Sequence, residues 1–207
     1  MPLAPIVSDT RWLFKVTKQQ AVEPELSQCL LGFFLGTGLK TIEISRIQVA
    51  DIFTKSGELT KKFSVRGDVE RDVFLVNRKL KALINEYKLV RILDGNHPDY
   101  YCGFDPIEPF FKRKQHGAFK ILSKTSGTGK RSYYCPSLNN HVKQLLSNAG
   151  IESPSIESGR RTLALRLKGQ VDVPTIHLML GNRDLNTTKR LLDTDPLTMN
   201  QIAELAF

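Results

Sequence analysis

The segment Glu157-Ser158-Gly159-Arg160-Arg161-Thr162, followed by Gly181-Asn182-Arg183 and then Thr187-Thr188-Lys189-Arg190-Leu191, carries the deciding pattern of this chain. Glu157 and Arg160 stand three residues apart, close enough across one helical turn to form an ion pair. Around them the sequence predicts helices over 137–149, 160–168, 173–180 and 186–192. Pro196 opens a last helix carrying Leu197, Ile202, Leu205 and Phe207, whose apolar side on so short a tail requires a docking surface.

Upstream, residues 25–34 read as a mostly buried helix that Gly36-Thr37-Gly38 stops, and a short helix is expected over 41–45. Ile47, Val49 and Ile52 alternate as a half-buried strand should. Strands over 59–65 and 71–76, joined by a turn at Arg66-Gly67-Asp68, make a small antiparallel sheet. An amphipathic helix over 78–87 presents Leu80, Leu83, Ile84 and Tyr87, and 94–98 breaks regular structure. Residues 103–114 read as an irregular excursion and 123–132 as a flexible basic loop. The class is α+β, mainly helical, and there is no internal repeat.

The chain has 207 residues, 41% of them hydrophobic, which fits one compact domain. Thirty Lys and Arg against 21 Asp and Glu give a net charge of +9, which favours a polyanionic partner such as double-stranded DNA. No acidic residue occurs from Pro109 through Ile151, whereas Lys112, Arg113, Lys114, Lys120, Lys124, Lys130, Arg131 and Lys143 do. From this stretch Lys112, Arg113, Lys114, Lys124, Lys130 and Arg131 are taken as candidate DNA-binding residues. Its aromatic residues, Phe110, Phe111, Phe119, Tyr133 and Tyr134, are expected mostly to pack.

Other chemistries find little support. Cys29, Cys102 and Cys135 are widely spaced and lack the pairing of a disulfide framework or zinc site, the usage of a reducing cytoplasm. No metal or cofactor is expected, since His97, His116, His141 and His177 are scattered without partners at ligand spacing. Gly127-Thr128-Gly129-Lys130 hints at a phosphate loop, but Lys124 stands where the motif needs its first Gly and Arg131 where it needs Ser or Thr. No segment has the pattern of an export signal or a membrane span, so a cytoplasmic protein is expected.

The opening segments resemble the last third of the catalytic domain of tyrosine recombinases, the phage integrase family, whose pattern runs His-x-x-Arg-Arg-Thr, Leu-Gly-His and Thr-Thr-x-x-Tyr. The resemblance continues in order upstream. Residues 35–44, Leu-Gly-Thr-Gly-Leu-Lys-Thr-Ile-Glu-Ile, are similar to Tyr-Thr-Gly-Leu-Arg-x-x-Glu-Leu, and Val49-Ala50-Asp51-Ile52 to a Trp-x-Asp-Ile strand. Residues 65–71 resemble the hairpin Gly-Lys-Gly-x-Lys-x-Arg, 119–123 the Leu-Phe-x-Ser strand, and Ala149-Gly150-Ile151 the end of the helix before the His-x-x-Arg box. The resemblance covers 25–207, leaving 1–24 as an N-terminal extension too short for the family's usual N-terminal DNA-clamping domain. It also implies that the terminal helix docks on a neighbouring protomer or on an active recombinase partner.

Carried over by this resemblance, the active-site positions are Lys40, Arg66, Glu157, Arg160, Asn182 and Leu191, of which Lys40, Arg66 and Arg160 are also candidate DNA-binding residues, Arg160 either as a phosphate ligand or as a structural partner of Glu157. Leu191 replaces the Tyr nucleophile, and no Tyr follows Tyr134. Lys40 keeps a charge but loses the planar fork of Arg. Arg66 holds phosphate but cannot act as a general acid, because guanidinium titrates above about 12. Glu157 and Asn182 replace two His residues, and Lys40, Arg66 and Arg160 less Glu157 leave a formal charge of plus two. The resemblance therefore implies a catalytically inactive, DNA-binding relative, regulatory or accessory to a mobile genetic element. Two alternatives are a recombinase whose Tyr is supplied in trans and a protein-interaction module that keeps the fold without DNA binding.

Overall fold

The computed structural model describes residues 3–67, 69–92, 100–127, 129 and 131–193, with Ile92 described through its backbone alone. Asp68 of the expected turn, the break at 94–98, Lys130 and the helix opened by Pro196 lie outside the described residues. A buried helix organises the rest. In α2 (Pro24–Gly36), Pro24 occupies the first turn, where a missing N–H leaves no bond unmade, and Leu26, Cys29, Leu30, Leu31, Phe33 and Phe34 are all buried. Around it pack α1 (Thr10–Gln20), α3 (Thr41–Ile44), α5 (Arg78–Ile92) and α7 (Ser158–Leu167), while α6 (Pro136–Asn148) lies on α1. α8 (Val173–Leu180) and α9 (Leu185–Leu192) pack on α7 around a second, smaller cluster of Ala164, Ile176, Leu180, Leu191 and Leu192. No described helix is long and apolar enough to cross a membrane.

Residues expected as a mere N-terminal extension are built into this body. Asp9 caps α1 by accepting from the Trp12 N–H at 2.8 Å, and Leu13 and Val16 are buried. The Val7 N–H donates to Thr162 Oγ1 at 2.9 Å, tying the start of the chain to α7.

The sheet content is three separate antiparallel pairs among the described residues: β1 (Lys62–Ser64) with β2 (Asp72–Phe74), β3 (Lys112–Arg113) with β4 (Gly117–Ala118), and β5 (Leu122–Thr125) with β6 (Arg131–Tyr134). The first is the expected sheet, with Phe63 opposite Val73 and both buried. Two expectations are corrected. The strand over Ile47, Val49 and Ile52 is instead a helical turn, α4 (Val49–Ile52), because Asp51 reaches back to accept from the Gln48 N–H at 2.8 Å. The basic loop over 123–132 is instead the β5–β6 hairpin, all eight strand residues exposed, with Leu122 opposite Tyr134 and Ser123 opposite Tyr133. The irregular excursion is fastened by Arg91, whose buried guanidinium donates to the Pro109 and Phe110 carbonyls at 3.2 and 2.6 Å and to Glu108.

α7 rests directly on α2. A Cβ placed on Gly159 would lie 2.3 Å from the Phe34 carbonyl oxygen, whereas one on Gly36 meets nothing within 4 Å. Gly159→Ala is therefore expected to lower stability in urea unfolding by about 1–3 kcal/mol through overpacking, and Gly36→Ala to change it by less than about 0.5 kcal/mol. On α6, His141 Nε2 lies 3.1 Å from Ser27 Oγ, and burial, reinforced by the nearby Arg113 charge, holds the imidazole pKa below its ordinary 6.5. The unfolded chain then binds the proton more readily than the folded one, so this residue's stabilising contribution is complete above pH 6.5 and lost as pH falls through the lower folded value. His141→Gln should flatten that part of the stability–pH curve, measured by thermal melting.

Candidate functional site

The close approach of α7 to α2 carries Arg160 into the interior, where its side chain is 2% exposed. A buried guanidinium must spend its donors on the protein, and Arg160 does. Nε donates to the Gly38 carbonyl at 3.2 Å, Nη1 to Glu157 at 2.8 Å, and Nη2 to the Leu180 carbonyl at 3.0 Å and to Asn182 Oδ1 at 2.5 Å. The ion pair that the i, i+3 spacing predicts is thus formed. Gly38 and Gly181 both adopt left-handed backbone, with φ of 71° and 58°, which lets the chain fold tightly around this group. Of the two roles open to Arg160, phosphate ligand and structural centre, the geometry fits the second.

Asn182 extends the network. With its carbonyl oxygen facing Arg160, its Nδ2 donates to Thr188 Oγ1 at 2.9 Å, and that hydroxyl lies 2.8 Å from His177 Nδ1. Thr188 is fully buried. Leu191, at the nucleophile position, lies in the small apolar cluster of α7, α8 and α9 and is 9% exposed.

A second guanidinium lies at the same helix end. Arg71 donates through Nη1 and Nη2 to the two carboxylate oxygens of Glu43 at 2.9 and 2.8 Å and through Nε to the Met179 carbonyl at 3.0 Å, with side chains 8% and 2% exposed. Glu43 also accepts from the Lys40 N–H at 2.8 Å, fixing the start of α3. The C-terminal carbonyls of α8 are therefore all satisfied: His177 and Leu178 by the Gly181 N–H, Met179 by Arg71 and Leu180 by Arg160. A Cβ on Gly181 would meet the Arg71 guanidinium at 2.3 Å. No local spacing announces the Arg71–Glu43 pair, whose members stand 28 residues apart.

The other positions carried over by the resemblance stay nearer the surface. Lys40 is half-buried, with no ion pair among the described residues. Arg66 is exposed and pairs with Asp51, which brings the formal charge of this set of positions from plus two to plus one. Within the basic stretch, Lys112 Nζ approaches Glu108 at 3.7 Å, Arg113 stacks on Phe119 at 4.7 Å, and Lys114 is exposed while its backbone N–H donates to Glu23 at 2.7 Å. Lys124 and Arg131 are exposed on opposite faces of the β5–β6 hairpin, as the strand register dictates. Phe110, Phe111 and Phe119 are core residues; Tyr133 and Tyr134 are exposed.

No protein-family model matches the chain, and no curated protein matches it. Solved structures do. The chain is similar to the XerA recombinase, with a TM-score of 0.67 and 15% identity over all of this chain and 64% of that one. It is also similar to the XerH site-specific recombinase bound to its palindromic difH substrate in a post-cleavage complex, with a TM-score of 0.65 and 17% identity over 99% of this chain and 53% of that one. A lambda integrase dimer bound to a COC' core site gives 0.62 and 9% over 93% and 49%. The fold is that of a tyrosine recombinase catalytic domain, and the chain spans about half to two thirds of the length of these proteins.

Because Glu43 and Arg71 satisfy one another out of water, removing one partner should cost far more than removing both. Arg71→Met is expected to destabilise by about 3–5 kcal/mol, and the double variant Glu43→Gln/Arg71→Met to recover much of that, measured by urea unfolding.

Proposed function

We propose that this chain binds duplex DNA without cutting it, as a regulatory or accessory protein of a mobile genetic element. The observation that carries the reading is the internal commitment of Arg160: strand cleavage needs cationic donors free to stabilise a pentacoordinate phosphate, and this guanidinium already serves Glu157, Asn182 and two carbonyls. Leu191 supplies no hydroxyl, and Arg66 cannot release a proton to a leaving oxygen. The net charge of +9, the exposed Lys114, Lys124 and Arg131, and the fold shared with proteins solved on DNA support the binding half of the reading.

A second reading, a protein-interaction module that keeps the fold, is favoured by exposed apolar side chains of α8 and α9, Leu178 at 71% exposure and also Met179 and Leu185. Salt titration separates the two. A DNA binder loses affinity on labelled duplex with a log–log slope of about −0.9 per phosphate contacted, whereas an interaction module has little affinity to lose.

On a nicked suicide duplex the protein is expected to form no covalent adduct, alone or with an added recombinase. Leu191→Tyr should form none either, because Arg160 stays coordinated. A trapped adduct on the Tyr of an added recombinase whose own active-site arginines are removed, formed only when the unaltered chain is present, would overturn the non-cutting reading and support a Tyr supplied in trans.

A further inference from the structure

The exposed β5–β6 hairpin carries an arrangement that none of the motifs accounts for. Arg46, just beyond α3, places its guanidinium carbon 5.1 Å from the centroid of the Tyr133 ring, and Arg131 places its own at 5.6 Å. Both charges therefore lie within about 11 Å of each other around one ring that is itself 48% exposed. Alternation along β6 puts Arg131 and Tyr133 on the same face. Each guanidinium is also aimed: Arg46 Nη1 donates to the Arg66 carbonyl at 3.2 Å, and Arg131 Nη2 to Ser123 Oγ at 3.1 Å. Among the described residues no carboxylate pairs with either.

Two like charges gathered on one ring repel, more strongly at a protein surface than in bulk water. Most of the other arginines with described contacts lie beside a carboxylate or a row of carbonyls; this pair has, among the described residues, an aromatic face and one neutral oxygen each. An anionic ligand with two charged groups in sequence relieves that repulsion and accepts from both guanidiniums.

We propose that Arg46, Tyr133 and Arg131 form a clamp on successive phosphates of the nucleic-acid backbone, and that this clamp, outside the Arg160 centre, anchors the chain on duplex DNA. Tyr133 is a positioning residue that holds both guanidiniums; the contacts to DNA are those of the two arginines. The proposal rests on the DNA-binding reading above and gives it a location. Phosphate contacts carry no base sequence, so the clamp acts equally on every duplex.

The test is fluorescence anisotropy on a labelled random-sequence duplex and on one from the chain's own genetic neighbourhood, each across a salt series, with thermal melting of every variant. Arg46→Gln and Arg131→Gln should each make the log–log salt slope shallower by about 0.9, and together by about 1.8, on both duplexes. Tyr133→Leu should lose affinity while Tyr133→Phe keeps it, and Lys143→Gln, an exposed charge on α6, should change the slope less than either arginine. Steep, salt-dependent binding that the arginine variants leave intact, or that Lys143→Gln weakens as much, overturns the clamp while leaving the DNA-binding reading standing. A wild-type chain with no measurable binding at low salt overturns both.

Discussion

The buried guanidinium of Arg160 is the constraint around which this molecule is arranged. A permanently charged group out of water is tolerated only when its donors are met, and each acceptor fixes a different piece of chain: Gly38 the exit of α2, Leu180 the end of α8, Asn182 the turn into α9, and Glu157 the start of α7 itself. Arg71 repeats the solution at the neighbouring carbonyl of α8, joining Glu43 of α3 to Met179. The two arginines together tie the α7–α8–α9 cluster to the exit of α2 and to α3.

This division of labour sorts the cations of the chain. Those in the interior, Arg71, Arg91, Arg160 and Arg161, are matched to carboxylates and carbonyls and act as cross-braces. Those on the β5–β6 hairpin and just beyond α3 are matched to an aromatic ring and to solvent. A net charge alone does not distinguish the two kinds, and it is the second kind that is available to a polyanion.

How much of this was legible in the sequence follows the range of the interactions involved. The helix termini and apolar faces are local, and α2, α5, α6, α8 and α9 appear close to where spacing puts them, as does the Glu157–Arg160 pair. α4 was misread because the alternation of Ile47, Val49 and Ile52 is also produced by a bridge followed by one helical turn, and the Asp51 cap decides between them. The β5–β6 hairpin differs from the expected loop because Gly, Ser and Lys dominate its composition while its cross-strand partners are six to twelve residues apart. The Glu43–Arg71 pair, the Asp51–Arg66 pair and the Arg46–Tyr133 stack join residues fifteen to eighty-seven positions apart, which no periodicity encodes.

The coordination of Arg160 also bears on how freely the sequence can drift. Changing Glu157 or Asn182 alone leaves a buried guanidinium short of an acceptor, a deficit of several kcal/mol in a domain whose whole stability is on the order of 5–15 kcal/mol. Changing Arg160 alone strands the carbonyls of Gly38 and Leu180. On the reading proposed here, the path back to a phosphate-gripping arginine passes through variants that fold poorly, so the present state behaves as a ratchet: neighbouring sequences are reached more easily by altering the surface than by reopening the centre.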